Sequence, residues 1–102
     1  MNRNKVLGNI GLANRARAVT SGEDQVLDAI RKKRAILVFL ASDAGPNTTK
    51  RITDKSSFYN VRLSNEFTAD ELSTAIGKEN RKVIAITNRH FTEMIDSAIH
   101  EI

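Results

Sequence analysis

The sequence predicts an α/β fold, a three-layer α-β-α sandwich with a four-stranded mixed, mainly parallel sheet. Three observations lead there. The chain has 102 residues, room for one domain (1–102) and no more. Two apolar runs, Ala35–Ala41 and Lys82–Thr87, have the length and β-branched content of strands covered on both faces. Helix-periodic segments stand around and between them, giving the order α-β-α-β-α-β-α-β-α.

Residues 3–17 read as the first helix, because Val6, Leu7, Ile10, Ala13 and Ala16 fall on one stripe at spacings of three and four. Gly8 and Gly11 each cost such a helix about 1 kcal/mol and fit close packing on a sheet. Arg15 and Arg17 stand at its end, where cations complement the helix dipole. A very short strand, Ala18-Val19-Thr20, follows. Ser21 or Gly22 then caps a second helix that runs to about Lys33, with Glu23 and Asp24 in its first turn. Val26, Leu27 and Ile30 form its buried face, and Arg31, Lys32, Lys33 and Arg34 close it.

After the strand over 35–41, Ser42–Gly45 is a loop and Pro46 suits the first position of a third helix, about 47–58. That helix is polar: Thr48, Thr49, Lys50, Arg51, Thr53, Lys55 and Ser56 surround Ile52 and Phe58. A solvated surface helix is the expectation, with phosphate contact as the alternative use of the same side chains. Val61-Arg-Leu63 alternates as an edge strand would. Thr68-Ala-Asp-Glu71 is a capping box opening a helix with Leu72, Ala75 and Ile76 inward and Gly77 after it. Lys78–Arg81 is a charged loop before the second buried-type strand. In the last helix, about 89–101, Phe91, Met94, Ile95, Ala98, Ile99 and Ile102 recur at helical spacing.

Composition narrows the function classes. No cysteine occurs, so disulfides and thiolate metal sites are excluded. No apolar run reaches the roughly 18 residues of a membrane span, so a soluble, cytoplasmic and unprocessed chain without a membrane partner is expected. The five glycines show neither G-x-G-x-x-G nor P-loop spacing. His90 and His100 lack a second ligand at metal-binding distance along the chain, so no metal and no cofactor is expected. Asp43 and Thr87 follow buried strands as in phospho-receiver domains, but the first strand is preceded by arginines, where such a domain needs magnesium-binding acids. The aromatic residues form no exposed ladder for stacking bases. An enzyme is therefore not expected.

Binding is what the charges favour. The net charge is +4, but residues 1–51 carry ten basic and four acidic residues while residues 52–102 carry six and eight. Such asymmetry marks a polyanion-binding face. The segment from Arg15 to Gln25 is the candidate. A strand delivers Gly22 to a helix N-terminus, whose unpaired N–H groups and dipole favour phosphate or base oxygens. An ordinary strand-to-helix cap uses the same residues. Arg15 and Arg17 are expected beside this point, Arg31 and Lys32 at the far end of the helix, and Lys78 and Arg81 at its rim.

Leu12-Ala-Asn-Arg-Ala-Arg, Ser21-Gly-x-x-x-Val26, Ala29-Ile30, Asp43 with Pro46, and Ile76-Gly77 before Val83-Ile-Ala-Ile86 resemble the ribosomal "L-seven-Ae"/"L-thirty-e" superfamily. Gly11-Leu-Ala-Asn-Arg-Ala-Arg, Ser21-Gly-Glu-Asp24 and Ile76-Gly-Lys-Glu-x-Arg81 are similar to its bacterial YlxQ-type members. The resemblance spans essentially the whole chain. It implies a non-catalytic protein that binds structured RNA, ribosomal or kink-turn-like, with ribosomal or transcription and translation proteins as further partners and association with the ribosome. Charge placement and the resemblance together give the expected RNA contacts as Arg15, Arg17, Ser21, Gly22, Glu23, Asp24, Gln25, Asp28, Arg31, Lys32, Lys78 and Arg81. In kink-turn binders the helix-opening glycine precedes an Asn-Glu-x-x-Lys group that reads tandem G·A pairs. Here the glycine maps to Gly22, but Asp24, Gln25 and Asp28 replace the three side chains. Asp24 only accepts hydrogen bonds, so it suits an amino group and not guanine O6. With Glu23, these acids motivate the alternative expectation, a protein-interaction adaptor that has lost kink-turn readout.

Overall fold

The computed structural model describes all of residues 1–102, and its nine elements follow the expected order. They are α1 (Arg3–Arg15), β1 (Val19–Ser21), α2 (Glu23–Arg31), β2 (Leu37–Leu40), α3 (Pro46–Phe58), β3 (Arg62–Ser64), α4 (Ala69–Ala75), β4 (Val83–Ile86) and α5 (Arg89–Ile99). Helix starts follow local chemistry. The Asn2 and Asn88 side chains accept from Lys5 N and Phe91 N. Thr68 and Glu71 close a reciprocal capping box, and Pro46 opens α3. By contrast α2 and α3 have glycine N-caps, Gly22 and Gly45, with no side-chain acceptor on their first N–H groups.

The strands lie in the order β1-β4-β2-β3. The sheet is mixed, as expected, but not mainly parallel. Only β2 and β3 run parallel, while β4 is antiparallel to both neighbours, pairing Val19↔Ile86 on one side and Leu37↔Ile86 on the other. The reason lies after α4. That helix has only seven residues, and the chain then folds back along it, with Lys78 N donating to Ser73 O and Arg81 N to Ser73 Oγ. The segment thus returns to the end of the sheet where β3 finished, and β4 must enter running the other way.

Helices cover both faces. Val6 and Ile10 of α1, Leu72 and Ile76 at α4, and Ile95 and Ala98 of α5 pack on Leu37, Phe39, Ile84 and Ile86. Val26, Ala29 and Ile30 of α2 and Ile52 of α3 pack on Val38, Leu40, Val83 and Ala85. Alternate residues of β2 and β4 thus serve opposite layers, which explains why those strands are apolar throughout. The N-termini of α2, α3 and α4 gather at one end of the sheet, called here the helix-start end. The C-termini of α1, α2 and α3 lie at the far end. No helix is long and apolar enough to cross a membrane.

Candidate nucleic-acid interface

The helix-start end is built around Gly22. Its N–H donates to Val83 O at 3.0 Å and its carbonyl accepts from Val26 N at 2.9 Å, so it ends β1 and caps α2 at once. That double duty requires φ 97° and ψ 150°, a region essentially restricted to glycine. The N–H groups of the first turn of α2 are left without intrahelical partners beside it.

Arg81 stands at the same point. Its backbone is held on both sides by Ser73, whose Oγ accepts from Arg81 N at 2.8 Å and donates to Arg81 O at 3.3 Å. Its side chain lies against Gly22, 3.8 Å from where a Cβ would be, and its buried Nε has no hydrogen-bond partner. Gln25, in the first turn of α2, folds back over Gly22. The cleft in front is lined by Gly22, Glu23, Thr48, Asn80, Lys82 and Val83, and Lys78 lines the adjoining one with Asp70, Ser73, Thr74, Glu79 and Asn80. Thr48, Asn80 and Lys82 had no sequence signal as site residues beyond the hydroxyls and cations of α3 and the charged loop. Their convergence depends on β4 entering at this end.

The acids are more constrained than the sequence indicates. Glu23 turns toward α3, where its carboxylate accepts from Thr48 Oγ1 at 2.6 Å and pairs with Arg51. Asp28 is met by Lys32 at 3.1 Å, Arg31 at 3.4 Å and Arg34 at 3.6 Å. The hydrogen bond from Lys32 outweighs desolvation and holds the Asp28 carboxyl below its ordinary value, with Arg31 adding to the effect. Of the three acids only Asp24 is exposed without a partner. They do not form one acidic surface.

The expected grouping of Arg15 and Arg17 with Gly22 is not what the fold provides. Ala18 O accepts from Thr87 N, at the end of β4, whereas Gly22 pairs with Val83 at its start. The five-residue run from Arg17 to Gly22, at about 3.3 Å per residue, separates the two by roughly 15 Å. Arg15 and Arg17 therefore belong to the far end, with Arg31 and Lys32. Ser21, Gly22, Glu23, Asp24, Gln25, Lys78 and Arg81 belong to the helix-start end. Asp28 lies between them, within reach of the far-end cations. The correction has a simple cause: a helix that precedes a strand ends where that strand begins, and Gly22 is where β1 finishes.

Comparison with known proteins gives a consistent likeness. The model of the ribosomal protein L7Ae/L30e/S12e/Gadd45 family matches residues 4–95. The RNA-binding protein YlxQ of Bacillus subtilis (strain 168) is 46% identical over 90 residues, 88% of this chain and 90% of that protein. The RNA-binding protein YlxQ of Enterococcus faecium is 41% identical over 92 residues, 90% and 88% of the two chains. A solved structure of a protein with unknown function from Bacillus halodurans C superposes with a TM-score of 0.88 at 37% identity, covering 95% of this chain and 98% of that one. The Giardia lamblia 15.5kD RNA binding protein has a TM-score of 0.81 over 94% of this chain and 82% of its own, at 16% identity, a likeness of fold.

Proposed function

The chain belongs to the ribosomal protein L7Ae/L30e/S12e/Gadd45 family, and on that premise we propose that it is a non-catalytic RNA-binding protein that grips structured RNA with the helix-start end. The observation that carries the mechanism is Arg81. Its backbone is clamped by Ser73 and its Nη1 stands beside Gly22, next to the unpaired N–H groups at the uncapped start of α2. Phosphate or base oxygens satisfy both at once.

The target is a ribosomal or kink-turn-like RNA read mainly through backbone N–H groups, Gln25 and Arg81, with Lys78 and Lys82 on flanking phosphates. Asp24 accepts from an exocyclic amino group, a role asparagine could share, but it cannot donate to guanine O6. Ser21 and Glu23 set the entry turn and the α2–α3 contact. The protein works beside the ribosome in the cytoplasm. An adaptor that captures basic proteins has less support, because Glu23 and Asp28 are already occupied by Arg51 and by Lys32, Arg31 and Arg34.

Crosslinking in cells followed by sequencing of the bound RNA tests this reading. Recovery of one structured RNA region that is lost in the Arg81→Ala variant supports it. Recovery of protein partners alone would overturn it in favour of the adaptor.

A further inference from the structure

The far end has a charge pattern that the helix dipole explains only in part. Each of α1 to α4 ends the same way, with a left-handed residue just past its C-cap: Arg17 at φ 61°, Lys33 at φ 60°, Asn60 at φ 60° and Gly77 at φ 67°. Glycine and asparagine are the residues suited to that position, because a Cβ there costs stability. Helices α3 and α4 use them. Helices α1 and α2 carry an arginine and a lysine instead. Arg89 is a third such case, since it opens α5, the helix end where a cation opposes the dipole.

These three cations share one end of the sheet. Val19, Ile86 and Leu37 form a row across β1, β4 and β2, and the chain enters or leaves that row through Arg17, Arg89 and Arg34. The Thr87 N to Ala18 O bond and the Ile36 N to Ile86 O bond, both at 2.8–2.9 Å, hold the three loops side by side. At about 4.8 Å per strand the row is roughly 10 Å wide, the axial length of about three nucleotides of one strand. Arg15, Arg17 and Lys33 are exposed and take part in none of the ion pairs, while Asp28 is shared among Arg31, Lys32 and Arg34. The dipole favours the charge of Arg17 and Lys33 but the left-handed backbone favours glycine, and Arg89 opposes the dipole, so side chains kept there against that cost are expected where they do something else.

We infer that the far end is a second RNA-backbone surface, centred on Arg17, Lys33, Arg34 and Arg89, and that the chain bridges two RNA segments, one at each end of its sheet. The inference rests on the RNA-binding reading above, but it concerns a different set of residues. The Gly22 cleft and Lys33 lie at opposite ends of α2, so the two surfaces face away from each other. The far-end surface recognises phosphate without sequence, since it offers only cationic side chains.

The test uses refolded ribosomal RNA on beads and a labelled short RNA duplex in solution. The wild-type protein is expected to carry the duplex to the beads. The Arg17→Gly/Lys33→Gly double variant removes both cations and relieves both left-handed residues, so it is expected to melt at a higher temperature and to stay on the beads. It should bring down roughly ten-fold less duplex, because two phosphate contacts are gone. Arg81→Ala should instead bind free duplex as the wild type does but carry less of it to the beads, which tests the helix-start end separately. If the wild type fails to hold ribosomal RNA, the earlier reading falls, and direct duplex binding that is lost in the double variant still supports the far end. Wild-type protein that holds ribosomal RNA but never duplex overturns the inference. So does undiminished duplex capture by the double variant. Displacement of duplex by poly-glutamate at concentrations below those at which unlabelled duplex competes would reassign the surface to an acidic protein.

Discussion

The guanidinium of Arg81 stands beside Gly22, at ordinary contact distance from where a side chain there would begin. A Cβ added at Gly22 would lie 3.8 Å from Arg81 Nη1 and 2.8 Å from Gln25 Oε1. Glycine at this position therefore does two things. It permits the backbone turn that ends β1 and opens α2, and it leaves room for Gln25 to fold back over that turn.

Gly22→Ala should consequently fail twice. Placing alanine at φ 97° and ψ 150° costs about 1–3 kcal/mol of stability, readable by chemical denaturation. RNA affinity should fall as well, but less than Arg81→Ala lowers it, because the added Cβ displaces Gln25 and leaves Arg81 at ordinary contact distance. Arg81→Ala removes charged hydrogen bonds of about 1.5–3 kcal/mol, a loss of roughly ten- to a hundred-fold in Kd. Titration of both variants against ribosomal RNA checks the order. Equal affinity of wild type and Arg81→Ala would remove Arg81 from the interface.

Two glycines in α1 separate propensity from packing. A Cβ at Gly8 meets nothing within 4 Å, so Gly8→Ala should stabilise by about 0.5–1 kcal/mol through helix propensity alone. A Cβ at Gly11 would lie 2.9 Å from the backbone oxygen of Ala75, which cannot move without shifting α4. Gly11→Ala should therefore destabilise by about 1–3 kcal/mol in spite of the same propensity gain. Thermal melts of the two variants should shift in opposite directions.

The contrast between these glycines also shows what was legible beforehand. Helical periodicity, the Thr68–Glu71 box and Pro46 are local signals, and each element they predict is present. What Gly11 packs against is not local, and neither is strand direction. An alternating α-β pattern implies crossovers that carry the chain from one end of the sheet to the other. Nothing in the spacing of Gly77–Lys82 reveals that this loop doubles back on Ser73 and reverses β4. The Gly22 turn could be named from sequence, since a glycine between a strand and a helix is a local sign. Arg81 could be placed at its rim by charge, but its anchoring by Ser73 and its contact with Gly22 came only with the fold, as did the pairing that neutralises Glu23 and Asp28.

Acid sensitivity follows from the same ion pairs. The Glu71 carboxyl is lowered from its ordinary value first by the Thr68 N–H and then by Arg3, and Asp28 first by Lys32. Carboxylates with depressed native values contribute stability that is complete above their unfolded values and is lost as pH falls through the lower native ones. Stability should accordingly be flat near neutrality and fall below about pH 4, the ordinary carboxylate range. Glu71→Gln should flatten that acid limb. Thr68→Ala should cost about 1 kcal/mol at neutral pH, because the cap on Glu71 N is gone. Denaturation midpoints across the acid range distinguish the two variants.

Asp24 offers a test in the direction of gain. It is exposed at the tip of α2 beside the unpaired N–H groups, and unlike Glu23 and Asp28 it has no cation of its own. Its charge favours the helix dipole by about 0.3–1 kcal/mol. The same charge repels a phosphate seated on those N–H groups by about 1 kcal/mol at 4 Å in water. Asp24→Asn should therefore trade the two: a few tenths of a kcal/mol less stable, yet about five-fold tighter on RNA at low salt. Asparagine also supplies the donor that guanine O6 needs, so the gain should be larger on a kink-turn RNA with tandem G·A pairs than on a plain duplex. Adding salt should shrink the duplex gain to nothing while leaving part of the kink-turn gain, since charge is screened and hydrogen bonding is not. A variant that binds both RNAs no better than wild type would place the RNA elsewhere than on the first turn of α2.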